Sequence, residues 1–365
     1  MKIKGVDINN RRFIQGTLLI NVPAGSINLG KDGIKRVRTN IGGHYVSFSY
    51  ISGQSIKAKI KDTLEERGEK LSIPEIVQES GKKNTPTTSC NPFEYIDDDL
   101  FGYMNVINAD NKEDVDYKNK GTTRIASFKI SYLVGKDGDL TSDYGVKRNG
   151  ALKDNKLTTM PLDDNTRLFA STTYSGCFNI DLNCSGRFFK GNYAGYKNIS
   201  DKFPINNYKD LIETADDEEV VLKKDIRRKR IQTLIEAIPY ISGGAKLTTL
   251  YSDIAPKFII YCLTNSGNNI FQEISNVKED LNISALKEAL IDYKDIIKSD
   301  IYLAKRNGFL DNKNDDLKKF ITEYNSDSQN QYKIICSEDL GGINKITKKF
   351  SSEVIGKVFD EVEGI

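Results

Sequence analysis

Apolar positions along this chain follow two different periods, and the change from one to the other lays out its elements. Residues 12–22, RFIQGTLLINV, are rich in apolar and β-branched side chains and predict a strand. From Ser52, a good N-cap, Ile56, Ile60 and Leu64 recur at i, i+4 and i+8, which predicts a helix with one buried stripe. The Gly-containing stretch between them, from Pro23 to about Gly43, is expected as a loop. Strand character returns at 124–134 (RIASFKISYLV) and 172–186 (TTYSGCFNIDLNCSG). Ile231, Leu234, Ile235 and Ile238 follow i, i+3, i+4, i+7 and predict a second helix, and PKFIIYCL at 256–263 predicts a final buried strand. Beyond it the chain is expected to be mostly helical, with Leu286, Leu290, Tyr293 and Ile297 on one stripe. Ile343, Ile346, Phe350, Val354 and Val358 make another.

Two stretches interrupt this order. Residues 68–100 contain SGKKNTPTTSCNP and read as an irregular insertion. Residues 135–170 are rich in Gly, Asp, Asn and Lys, supply little core, and suit an extended protruding hairpin. Without the insertions the order is strand, helix, strand, strand, helix, strand. The expected fold class is therefore α+β, on the ferredoxin-like βαββαβ plan shared with RNA-recognition domains. That plan hosts many functions and does not fix one.

Composition narrows the chemistry. With 38% hydrophobic and 28% charged residues, the 365-residue chain has the make-up of a globular protein with a sizeable core. No stretch approaches ~18 uninterrupted apolar residues, so no membrane-spanning helix is expected. The opening MKIKGVDINNRRF lacks the apolar run of a secretory signal, and a cytoplasmic location is expected. The five cysteines (Cys90, Cys177, Cys184, Cys262, Cys336) form no C-x-x-C pair, so buried reduced thiols are expected, not disulfides or zinc. His44 is the single histidine, which leaves no material for a His-rich metal site and one imidazole for any catalytic triad. Neither a cofactor nor catalysis is expected.

Charge changes the picture only when split by position. Lys plus Arg total 53 against 51 acids, a net +2 that by itself does not suggest a nucleic-acid partner. Residues 1–62, however, hold 11 Lys/Arg against Asp7, Asp32 and Asp62, giving +8 and leaving −6 for the remainder. A basic face on an acidic body is the footprint of a protein that follows a phosphate backbone. The helix starting near Ser52 would present unpaired N–H groups to a phosphate, and Gly53 would permit close approach. Gln54, Lys57 and Lys61 share one flank beside the apolar stripe, at roughly 160°, 100° and 140° from Ile56, whereas Lys59 points elsewhere. Lys35, Arg36 and Arg38 add cations from the preceding stretch.

Four motifs carry a resemblance. ISGQSIKAKIKDTL resembles the SxQS-hydrophobic-basic helix start of the CRISPR-associated "seven" backbone subunits of type I (Cascade) effector complexes, the DevR autoregulator-type family. DDDLFGYM at 97–104, TTYSGCFNIDLNCSGRF at 172–188 and RIQTLIEAIPYISGGAKLTTLYSDIAPKFII at 230–260 are similar to further segments of that family, in its order. The resemblance implies a non-catalytic, hand-shaped subunit that stacks head-to-tail in several copies along CRISPR guide RNA. Target DNA then pairs with the guide, beside other Cascade subunits and away from any membrane. It implies an RRM-like palm from 1–64, 121–134 and 171–263, a finger insertion at 65–120, a thumb hairpin at 135–170 and a helical C-terminal extension at 264–365. Ser52, Gln54, Lys57 and Lys61 would contact guide phosphates, as would Lys35, Arg36 and Arg38, and the loop with Gly243, Gly244 and Lys246 would lie close to the RNA backbone. An alternative is a type III-like subunit that cuts target RNA with Asp32; the family's older name also suggests a transcriptional autoregulator.

Overall fold

The computed structural model describes residues 10–30, 33–77, 85–105, 121–136, 140–142, 146–161, 168–191, 197–245, 247–276, 279–362 and 365. The elements used below are, in chain order, β1 (Phe13–Gly25), β2 (Arg36–Ile41), β3 (His44–Ile51), α1 (Gly53–Glu66), α2 (Ile96–Leu100), β4 (Phe128–Ile130) and β5 (Leu133–Gly135). There follow β6 (Val146–Lys153), β7 (Lys156–Pro161), β8 (Leu168–Asp181), α3 (Lys224–Ala237), β9 (Phe258–Thr264), α4 (Ile283–Asp292), β10 (Ile301–Lys305), α5 (Asn314–Ser326), β11 (Ile334–Ile335), α6 (Ile343–Phe350) and α7 (Gly356–Glu361).

One large sheet organises the molecule, in the order β11–β10–β9–β1–β8–β5–β3–β2, with β4 also paired to β8. Neighbours are antiparallel except β10 and β11. β1 lies at its centre, buried along nearly its whole length on both faces. Its register with β8 runs unbroken from Phe13↔Asp181 to Val22↔Thr172. Gly16 is needed there: a Cβ would stand 2.3 Å from the Phe178 ring.

The two faces are covered differently. On one, Ile56, Ile60 and Leu64 of α1, Ile231, Leu234 and Ile235 of α3, and Ile346 and Phe350 of α6 pack on Leu18, Ile20, Ile259 and Tyr261. On the other, Leu286 and Leu290 of α4 and Leu317 and Phe320 of α5 pack on Leu19, Phe258, Ile260 and Leu303. Further along that second face the central strands turn polar, with Gln15, Thr17 and Asn179 buried. The chain from Ser266 closes over them: Gln15 Nε2 donates to the Ser266 carbonyl (3.1 Å) and Thr17 Oγ1 to that of Phe271 (3.2 Å).

The expected α+β class with a large sheet is observed, and three local expectations are corrected. The 23–43 stretch is not a plain loop: β1 runs to Gly25 and β2 pairs with β3 through Arg36↔Ser49 to Ile41↔His44. The region after residue 264 is not purely helical, because β10 and β11 extend the sheet beyond the strand expected to be last. α4 ends at Asp292, with Tyr293 as its C-cap and Ile297 beyond it. Period-2 alternation in β2 is hidden by charge: Arg36, Arg38 and Asn40 take one face, Val37, Thr39 and Ile41 the other. Residues 68–100 hold the short paired strands Glu75–Val77 and Thr85–Thr87 before α2.

All five cysteines are free thiols. Burial pushes Cys177 up to about 11 and Cys184 up to about 12, so neither is a nucleophile at neutral pH. Among the described residues no helix is long and apolar enough to cross a membrane.

Candidate nucleic-acid interface

Ser52 is the N-cap of α1 and its hydroxyl accepts from the Ser55 N–H at 3.3 Å, as the sequence predicted. Gly53 has a different reason from the one expected. A Cβ there would stand 2.9 Å from the Ile130 carbonyl oxygen, so the glycine lets α1 start directly against β4. Gln54 is exposed in the first turn.

Lys57 and Lys61 do share a flank, but their surroundings differ. Lys57 is half-buried with Nζ 5.9 Å from the centroid of Phe128. Burial, then the charges of Lys61 and Lys129, lower its pKa; with no counter-ion among the described residues, its charge favours an outside anion. Lys61 already has one: Nζ lies 3.1 Å from Oδ2 of buried Asp97. Lys59, expected to point elsewhere, faces the glycine loop. Its Nζ stands 3.7 Å from where a Gly243 Cβ would be, and burial lowers its pKa against the opposing pull of Asp62.

Gly243 and Gly244 adopt φ of +106° and +143°, backbone that only glycine takes without strain. Ala245 N–H donates to the Ser26 carbonyl (2.9 Å), tying this loop to the end of β1. A cavity of about 650 Å³ beside it is lined by Lys59, Asp62, Glu66, Gly243, Gly244 and Tyr251. The glycine loop and the Lys57–Lys61 flank are thus on opposite sides of α1. Lys246 and Asp32 lie outside the described residues.

The predicted cations Lys35, Arg36 and Arg38 are exposed on the β2–β3 hairpin. Arg36 and Arg38 sit opposite Ser49 and Ser47, and the Arg38 guanidinium lies 5.2 Å over the Tyr45 ring. Gly42 and Gly43, with φ of +60° and +89°, make the tight turn that joins the two strands. Since β3 runs straight into α1, the hairpin and the helix start are neighbours in the fold.

DDDLFGYM turns out to be a set of internal ties. Asp97 accepts from Lys61 and from the Ser72 N–H (3.0 Å). Asp98 accepts from the Asn91 N–H (2.8 Å). Fully buried Asp99 takes Arg124 on one oxygen and Arg230 Nη1 at 2.7 Å on the other, with the Gly186 N–H at 3.0 Å. Burial opposes its charge, yet Arg124, Arg230 and that N–H hold the carboxyl below the usual carboxylate range. Gly102, at φ +75°, has the Arg124 carbonyl 2.3 Å from a would-be Cβ. Sequence reasoning found the motif but not these partners, which come from segments far away in the chain.

The sequence profile of one family, described as CRISPR-associated negative auto-regulator DevR/Csa2, matches residues 33–278. The chain belongs to the DevR/Csa2 family. The membership bears out the resemblance drawn from the four motifs, and the matched span includes the hairpin, α1, the DDDLFGYM ties and the glycine loop. Two solved structures resemble this DevR/Csa2 member. One is a chain of a "CRISPR RNA-guided surveillance complex", 13% identical, TM-score 0.49, covering 92% of this chain and 99% of its own. The other, from a "CRISPR RNA-guided surveillance complex, pre-nicking", is 12% identical with TM-score 0.49, covering 93% and 99%. No curated protein matches the sequence.

Proposed function

We propose that this DevR/Csa2 protein is a guide-RNA-binding backbone subunit of a type I CRISPR complex, stacking head-to-tail in several copies and lacking catalytic activity of its own. Membership of the family over 33–278 carries the reading. The strand order β9–β1–β8–β4/β5, with α1 after β1 and α3 after β8, supports a ferredoxin-like, RRM-like palm. The thumb is the β6–β7 hairpin within 135–170, the finger insertion is 65–120, and 264–365 braces the palm, with α4 and α5 on its second face and α6 on its first. Exposed Lys35, Arg36, Arg38 and Gln54, together with Lys57, provide sequence-independent phosphate contacts, which suits a subunit that accepts any guide. Ser52 caps the helix start on that path and Lys61 flanks it, while Gly243, Gly244 and Lys246 would approach the RNA from the other side of α1. Target DNA is met through the guide, and other complex subunits at the ends of the stack.

The deciding experiment is to sequence nucleic acid that co-purifies with the protein. Short repeat-derived RNA is the expected outcome. Recovery of duplex DNA from the protein's own promoter would instead favour the autoregulator in the family's name. Regular-interval cleavage of matched RNA, abolished by Asp32→Ala, would overturn the non-catalytic reading.

A further inference from the structure

Tyr50 and Tyr132 stack ring on ring, with centroids 4.9 Å apart and planes 2° apart. Tyr50 belongs to β3 and pairs with Val134 of β5, while Tyr132 lies in the link between β4 and β5. Tyr132 is 51% exposed, so the pair turns one aromatic surface to solvent. An aromatic cross-strand pair is an ordinary way to stabilise a sheet edge, and it needs no ligand. What surrounds this pair argues for more.

Lys35 lies opposite Tyr50, its carbonyl accepting the Tyr50 N–H at 3.1 Å, and the residue is exposed. Lys129, also exposed, pairs with Asn179 at the other side of the β4–β5 link. The packing of Gly53 on the Ile130 carbonyl places the start of α1 next to Tyr132. The segments that build this corner, 33–61 and 121–136, contain no Asp or Glu at all. A flat aromatic face set among cations, with no acid in its own segments, suits a ligand that is itself flat and polyanionic. Single-stranded RNA has that chemistry: its bases stack on the ring and its phosphates meet the ammonium groups.

We propose that the Tyr50–Tyr132 stack is a platform for one unpaired nucleobase of bound RNA, with Tyr132 as the stacking face. The site rests on the RNA-binding reading above and adds base contact to what was otherwise a phosphate-only surface. It stands on β3 and the β4–β5 link, away from the sheet's centre, since the central strands that carry stacking aromatics in ordinary RNA-recognition domains are here polar and closed over by the chain from Ser266. Stacking is tolerant of sequence, because every base has a π-face.

The test compares the full-length protein with Tyr132→Ala, Tyr132→Phe and Tyr132→Trp on two probes. One is a short single-stranded RNA of mixed sequence, the other a strand of equal length made of abasic ribose-phosphate. The alanine variant should bind the base-bearing strand about 5- to 100-fold more weakly, with the abasic strand and the salt slope unchanged. The phenylalanine variant should bind as wild type. Since the chain has no tryptophan, Tyr132→Trp supplies a single reporter, and base-bearing RNA should quench it while abasic RNA should not. Equal loss on both probes, no loss on either, or an unquenched tryptophan in a complex that still forms would each overturn the platform. Failure of the wild-type protein to bind either strand would overturn the RNA reading itself, and the platform with it.

Discussion

Two lysines one turn apart on α1 have opposite relations to the protein. Lys57 has no counter-ion among the described residues, whereas Lys61 neutralises buried Asp97. Lys57→Ala should therefore weaken RNA binding uniformly across sequences and make the salt slope shallower by about 0.7, at little cost in stability. Lys61→Ala should lower the melting temperature, because it strands a carboxylate that is 1% exposed; with Lys61 itself 30% exposed and the Ser72 N–H retained, the loss should be on the order of 1–3 kcal/mol. Equal stability for the two variants in a thermal melt would refute this division of roles. Nearby Asp98 is a titrating group with consequences for the whole fold. Burial, aided by the adjacent Asp97 charge and opposed by hydrogen bonds, raises it to about 6, and its Oδ1 has no hydrogen-bond partner. An acid whose folded pKa exceeds its unfolded value of ~3.9 gives a stability contribution that is complete below the unfolded value. That contribution is lost as pH rises through about 6. Asp98→Asn should accordingly stabilise the protein at pH near 8 by on the order of 1–2 kcal/mol, with the gain vanishing near pH 4. Denaturant melts at the two pH values check it, and a pH-independent difference would count against the raised pKa.

At the scale of elements, the β6–β7 hairpin is the part most separable from the fold. Among the described residues its two strands pair only with each other, and facing Leu152 and Leu157 are 74% and 76% exposed. The flanking segments are another matter, since Leu133–Gly135 and Leu168–Asp181 both pair into the large sheet. Replacing 146–161 by a short Gly/Ser turn should leave the circular-dichroism spectrum and melting temperature nearly unchanged while impairing assembly of copies on RNA. An unfolded product would show that the hairpin braces the core. This separability was legible in the sequence because a stretch so rich in Gly, Asp, Asn and Lys cannot bury a face. The helices α1 and α3 were legible for the opposite reason: Ile56, Ile60, Leu64 and Ile231, Leu234, Ile235 mark their buried stripes directly. β2 was not, because its exposed face carries Arg36 and Arg38 and its partner strand decides that it is a strand at all. β10 was missed because a five-residue run containing Lys305 resembles part of a helix. Only the fold shows that Lys305 is buried and held by the Phe309 carbonyl and Asp311. Of the candidate site, the helix start and its cations could be read from spacing, while the Asp97 tie on Lys61 and the Tyr50–Tyr132 stack required contacts between distant segments.

For the whole molecule, the asymmetry of charge has a structural counterpart. Lys35, Arg36, Arg38, Lys57, Lys59 and Lys61 lie on or beside the β2–β3 hairpin and α1, whereas Glu213, Asp216, Asp217 and Glu218 are exposed on the paired strands Ile212–Ala215 and Glu219–Leu222 and the turn between them. Subunits carrying a uniform positive charge would repel one another along a shared RNA, but a basic corner and an acidic turn on one chain would let copies stacked as proposed attract head-to-tail. Cooperative growth should then depend on RNA length. A strand long enough for only one copy should bind weakly and without cooperativity, and longer strands should bind successive copies with rising apparent affinity. Asp217→Lys with Glu218→Lys should leave the single-copy affinity near that of wild type and abolish the gain on long strands. Sedimentation of the protein on RNAs of graded length measures both quantities. A complex that stays at one copy on every length would refute stacking, and a charge-reversed variant that still grows cooperatively would show that the acidic turn takes no part in it.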